Sequence, residues 1–231
     1  MTVLSVAKNA ALVLGLSQPT ALYSSTYRED KELARLANRA ASQIMRDHAW
    51  QILTTQKTYT GDGTSEAFAL PSDYDRMLEG ADMWSSRWQW PFNHISDLNA
   101  WLELQVTPYT FVDGNWTIYG NEFHFLPIMA AAETLKFWYV SNNYAKDSNN
   151  AAKAAFTADT DTFRLDEDLL ELGIIWQWKK DKGLPFEEHM REYETLLAQR
   201  CKADRGANSI VSGERMRLPR RAVYAFPQTV G

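Results

Sequence analysis

Apolar positions divide the chain into two helical ends and a strand-rich middle. Residues 2–16 place Val3, Ala7, Ala10, Ala11 and Leu14 on one helical face, and Gly15 with Pro19 closes the segment. Residues 30–49 repeat that period with Leu33, Leu36, Ala37, Ala40, Ile44 and His48. A third helix runs from an N-cap at Asp166 to Gly183. Glu167, Asp168 and Glu171 stand near its start and Lys179, Lys180 and Lys182 near its end, so both ends complement the helix dipole. Its apolar residues, Leu169, Leu170, Leu172, Ile174, Ile175, Trp176 and Trp178, run nearly all the way round. That predicts a central core helix, with a sharper reading in which Trp176 and Trp178 form a subunit interface. Phe186, Met190, Tyr193, Leu197 and Cys201 then predict an ordinary amphipathic helix that stops at Gly206.

Between Trp50 and Tyr144 the pattern changes to aromatic and β-branched residues broken by turn signals. Strands are predicted over 51–60, 65–70, 76–84, 109–113, 115–119, 122–127 and 133–140, and a short helix over 96–105 capped by Ser96 or Asp97. Asp113-Gly114 is the strongest two-residue hairpin signal. The polar, alanine-rich stretch 142–161 reads as a mobile or loosely attached loop. Helices at both ends need a shared core. The expected fold is therefore α+β: a four-helix bundle formed by the N- and C-terminal segments (1–49 and 156–206), an inserted, mostly antiparallel β domain (50–155) and an extended C-terminal tail (207–231).

The composition fits that picture: 231 residues, 45% apolar and 23% charged, can bury a full core. No run reaches the length of a membrane span, and the opening MTVLSVAKNAALVLGL lacks a basic start and cleavage pattern, so neither membrane nor secretion is expected. The single Cys201 excludes an internal disulfide and a cysteine-based metal cluster, which suits a reducing compartment. Net charge is −5, but Arg215, Arg217, Arg220 and Arg221 against Glu214 give residues 207–231 a local +3 and leave −8 on the rest. An acidic body argues against general nucleic-acid binding, which needs clustered Lys and Arg.

A search for chemistry finds no catalytic signature, cofactor motif or metal motif. Gly61-Asp62-Gly63-Thr64-Ser65-Glu66 begins like a phosphate-binding loop, but no Gly-Lys-Ser/Thr follows, and a hairpin turn explains it better. His189 sits among carboxylates on a helix without the second histidine that zinc requires. His48, His94 and His124 are scattered singly. The pairs Asp159 with Asp161 and Glu187 with Glu188 read most simply as helix-end and solvated charges, although a fold could place such a pair to cleave a glycoside. Trp84, Trp88, Trp90, Trp101, Trp116 and Trp138 lie in the β block, and Trp88 and Trp90 would share one side of any strand there. Core filling and partner contact are the commoner uses of such residues. A sugar-binding platform, in a cell-wall hydrolase or a carbohydrate-binding module, is the alternative.

In residues 207–231 four arginines precede Tyr224 and Phe226, between Pro219 and Pro227 that favour extended backbone. Such a segment reads either as a disordered terminus or as one that folds onto an acidic or grooved partner. Taken in order, LSVAKNAALVLGL, ARLANRAASQIMRDHAWQI, FALPSDYDRML and TADTDTFRLDEDLLELGIIWQWKKDKGLPFEEHMREYETLL resemble the head-to-tail adaptor (connector) proteins of tailed bacteriophages. The resemblance implies a non-enzymatic virion structural protein at the head-tail junction, made in the host cytoplasm. It implies a dodecameric homo-oligomeric ring that docks on the portal protein and extends the channel through which genomic DNA passes without specific binding. It further implies portal contact by Arg215, Arg217, Arg220, Arg221, Tyr224 and Phe226. The β domain, with Trp88 and Trp90, would face the next tail component, a nozzle, stopper or tube. An acidic body is what a channel that repels DNA would need.

Overall fold

The computed structural model describes residues 1–106 and 114–204. Both ends of the first helix, α1 (Val3–Leu14), are set by sequence: the Ser5 amide donates to Thr2 Oγ1, and Gly15 closes the helix in the left-handed region at φ 69°. The second, α2 (Arg28–Asp47), buries Leu33, Leu36, Ala37, Ala40, Ala41 and Ile44. A short helix, α3 (Leu98–Val106), follows Asp97, whose carboxylate accepts from the Asn99 amide over 2.9 Å. Near the far end stand α4 (Glu167–Asp181) and α5 (Glu187–Asp204), and Asp166 caps α4 by accepting from the Leu169 amide at 3.1 Å.

The strand-rich middle holds β1 (Thr54–Thr60), β2 (Ala67–Ala69), β3 (Tyr74–Met77), β4 (Met83–Ser85), β5 (Pro91–His94), β6 (Asn115–Tyr119), β7 (Glu122–Leu126) and β8 (Thr134–Ser141). After it come β9 (Ala145–Lys146), β10 (Ala152–Lys153) and β11 (Thr162–Phe163). The architecture is α+β with a mostly antiparallel sheet.

Helix α4 packs against α1, α2 and α5, which is why its apolar residues run round its circumference. Leu169, Leu170, Ile174, Ile175, Trp176 and Trp178 join Val3, Ala7, Ala10, Leu33, Ala37 and Ile44 in one buried cluster. Small residues bring the axes together: a Cβ on Gly173 would lie 3.0 Å from the Ala40 Cβ.

The large sheet runs in the order β1-β8-β4-β5-β6-β7-β2, with β3 also paired to β8. All its pairings are antiparallel except β5 with β6, whose connection contains α3. The sheet curls until its two ends meet. Tyr59 of β1 and Phe68 of β2 have ring centroids 5.3 Å apart, and the Tyr59 hydroxyl donates to the Ala69 carbonyl at 2.6 Å. Burial raises the Tyr59 hydroxyl to about 12, so it stays protonated as that donor. Phe92, Trp116, Phe123, Phe125, Leu135, Phe137 and Tyr139 fill the enclosed core.

Several expectations change in detail. The Gly61–Glu66 segment is a turn, with Asp62 Oδ1 accepting from the Thr64 and Ser65 amides, but it is no hairpin, because β1 and β2 lie at opposite ends of the strand order. The hairpin among the described residues that carries a two-residue loop is Gly120-Asn121, with φ 60° and 66°, joining β6 to β7. The predicted strand 109–113 and Asp113 lie outside the described residues. The predicted strand 76–84 is broken at Gly80, which has φ 69°, into β3 and β4.

The stretch 142–161 is not loosely attached. Its β9 and β10 join β11 in a three-stranded sheet, and Tyr144, Ala145 and Phe156 are buried in the helical cluster. Asn38 of α2 fixes it by accepting from the Tyr144 hydroxyl at 2.9 Å and the Phe156 amide at 2.8 Å.

Candidate interaction surfaces

Alternation along β8 creates the main candidate surface. Leu135, Phe137 and Tyr139 point into the aromatic core, whereas Lys136 and Trp138 point out on the other face. On the neighbouring strands Gln56 stands opposite Trp138, Thr58 opposite Lys136, and Trp84 opposite Lys136. Val140, next on that outer face, is buried under the helices; Trp138 is 45% exposed and Trp84 38%. The outer face is therefore covered at one end by the helical core and open beyond it.

At this junction lies an open groove of about 890 Å³ lined by Ala49, Gln51, Thr54, Leu78, Glu79, Gly80 and Trp138. Its walls join the end of α2 to β1, β8 and the break after β3. One lip is tied to the end of α5: the Gln51 amide donates to Asp204 Oδ2 at 3.0 Å, and His48 Nε2 lies 3.4 Å from the same oxygen.

Trp88 and Trp90 do not lie on a strand, which corrects the expectation that they share one side of one. They sit in the turn between β4 and β5, with Gln89 between them at φ 53°. Ser85 anchors that turn by donating to the buried Glu133 at 2.5 Å and accepting from the Arg87 and Trp88 amides. Arg87 stacks over the Trp88 ring at 5.1 Å, and Trp88 packs against the aromatic core.

Trp176 and Trp178, the expected subunit-interface pair, are 6% and 9% exposed within the single chain. Trp176 lies 6.0 Å from the Tyr193 ring, under Lys180, while Trp178 forms part of a small charged depression with Arg28, Glu32, Arg35, Asp181 and Lys182. Arg215, Arg217, Arg220, Arg221, Tyr224 and Phe226 lie outside the described residues.

Of the candidate carboxylates, Glu187 and Glu188 are exposed in the first turn of α5, whereas Asp159 and Asp161 hold the fold. Asp159 accepts from the Leu22 and Tyr23 amides, and the buried Asp161 accepts from the Thr157 and Ala158 amides and from Lys153 at 2.7 Å. Burial raises the Asp161 carboxyl, but Lys153 and those amides outweigh it and hold its pKa below the ordinary value. His94 stacks on Trp116 at 4.2 Å and burial lowers its pKa, while His124 stacks on Tyr119 at 3.6 Å. Lys179 lies 3.2 Å from the His189 ring. Among the described residues no three His, Cys, Asp or Glu side chains gather as a metal site would need, and no helix is long and apolar enough to cross a membrane.

Reasoning from sequence missed that Trp84 and Trp138 are both exposed on the outer face of the sheet. The signal was present in β8, where Trp138 falls out of phase with Phe137 and Tyr139 and in phase with Lys136.

No curated protein matches the chain. The SU10 adaptor protein family model matches residues 1–218, spanning both helical ends, the curled sheet and the groove between them. By that match the chain belongs to the SU10 adaptor protein family, the structural adaptors of bacteriophage virions.

Proposed function

We propose that this adaptor docks on the portal as a ring at the head-tail junction, continues the DNA channel and provides the platform on which the tail is built. The observation that carries the reading is the family match over residues 1–218. In this reading α1, α2, α4 and α5 act as a four-helix bundle formed by 1–49 and 156–206, with 50–155 as the inserted β unit. Tyr144 and Ala145 are buried with the helices and would tie the two units together. The arm 207–231 carries Arg215, Arg217, Arg220, Arg221, Tyr224 and Phe226 to the portal. Trp88 and Trp90, on their anchored turn, meet the next tail component. Subunits of a dodecamer meet beside Trp178, in a depression lined by charges of both signs, Arg28, Glu32, Arg35, Asp181 and Lys182. The acidic remainder of the chain lets DNA pass without holding it.

The test is assembly. Mixed with the portal of the same phage, the full chain forms rings visible by electron microscopy and a native mass of twelve copies per portal ring. Removal of residues 207–231 leaves a chain with unchanged far-ultraviolet circular dichroism that no longer co-sediments with portal. A chain that stays monomeric with portal, or a truncated chain that binds it undiminished, overturns the reading.

A further inference from the structure

The groove at the helix-sheet junction has a candidate occupant within the same chain. Helix α5 is described as far as Asp204, whose carboxylate accepts the amide of Gln51 at 3.0 Å, so the described chain ends at the lip of the groove. Gln51 lines the groove together with Leu78, Glu79 and Trp138. The 27 residues from 205 to 231 span up to roughly 90 Å when extended, so every one of them can reach it. Reach alone selects nothing; chemistry does. This segment holds Arg205, Arg215, Arg217, Arg220 and Arg221 against Glu214, and the groove offers the exposed Glu79 carboxylate. Three and five residues beyond Arg221 come Tyr224 and Phe226, and the groove offers the Trp138 indole, 45% exposed, beside Leu78.

We propose that before the adaptor meets its partner, residues 220–226 of the same chain occupy this groove, with Arg220 and Arg221 paired to Glu79 and Tyr224 and Phe226 laid against Trp138 and Leu78. Tethering makes this feasible with few contacts. A segment attached beside its site has an effective concentration of about 1 mM, so an intrinsic dissociation constant of about 0.1 mM keeps it docked about ten times more often than free. The inference rests on the groove and the position of Asp204, and it stands whether or not the partner is portal. If the arm is what the partner takes, docking lowers its apparent affinity about tenfold, a self-restraint that releasing the arm removes.

Photo-cross-linking of the full chain tests the proposal. A benzophenone amino acid in place of Tyr224 is irradiated in dilute protein, and the linked peptides are mapped by mass spectrometry. The expected product is an intramolecular link to peptides containing residues 78–84 or Trp138, reduced at least fivefold by Glu79→Lys and by Trp138→Ser. Both side chains are exposed, so the variants are checked for unchanged melting before irradiation. Links to other parts of the chain, links between two copies, or links unaffected by both substitutions each overturn the assignment. Failure here leaves the assembly test untouched, since that test reads partner binding and this one reads the free protein.

Discussion

Tyr144 and Asn38 stand 106 residues apart in the chain, and the tyrosine hydroxyl donates to the asparagine Oδ1 over 2.9 Å. The same oxygen accepts the Phe156 amide, and Asn38 Nδ2 donates to the Phe156 carbonyl and to the Tyr23 hydroxyl, each at 3.1 Å. One amide on α2 thus secures the stretch that returns the chain from the sheet to the helices. Replacing it by alanine strands several partly buried partners, so Asn38→Ala is expected to cost about 2–4 kcal/mol. Urea unfolding monitored by tryptophan fluorescence reads this as a lower midpoint with unchanged slope.

Gly173 lies where α4 crosses α2, and a Cβ there would sit 3.0 Å from the Ala40 Cβ and 3.7 Å from the Tyr193 ring. A branched side chain must push the two helices apart. Gly173→Val is expected to lose about 2–3 kcal/mol through overpacking, in spite of replacing a helical glycine. Combining it with Ala40→Gly should recover part of the loss, and thermal melts of the two single variants and the double variant measure that coupling.

Asp161 predicts an acid sensitivity. Burial works against its charge, but Lys153 and two backbone amides hold its folded pKa below 3.8, the ordinary value. A depressed carboxyl contributes stability that is present above the unfolded pKa and is lost as pH falls through the folded one. Asp161→Asn should therefore cost about 1–3 kcal/mol at neutral pH and flatten the fall in urea midpoint from pH 5 downward. An unchanged acid slope in the variant would count against this assignment.

The tryptophans divide by location. Trp176 is buried between α4 and α5, and Trp176→Ala is expected to cost about 3–5 kcal/mol. Trp138→Ser, on the open face of the sheet, should change stability by no more than about 1 kcal/mol. Paired melting curves separate the core residue from the surface residue before either is tested in assembly.

Much of this protein was legible in local chemistry. The caps at Asp166 and Gly15, the amphipathic faces of α1 and α2 and the all-round apolar surface of α4 follow from period and end residues, because a helix closes its hydrogen bonds within itself. The character of the strand-rich middle was readable from its aromatic and β-branched residues and its turn signals, which are also local. Family resemblance in the order of segments reached the adaptor class that the match over residues 1–218 bears out.

Strand pairing was not legible, since a strand's partners are set by distant residues: β1 and β2 look like a hairpin in sequence and lie at opposite ends of the curled sheet. The 142–161 stretch reads as a loop because its polar and alanine residues carry no period. It is fixed through Asn38, Asp161 and the burial of Phe156, which only the packed chain brings together. The sequence by itself determined which segments are helical and which residues seek burial, because those choices depend on neighbours within one or two turns. Only the tertiary structure decided that Trp138 faces outward beside Glu79 and Gln51, and that Asp204 stands at the lip of their groove, because each of those positions depends on two segments far apart in sequence meeting in space.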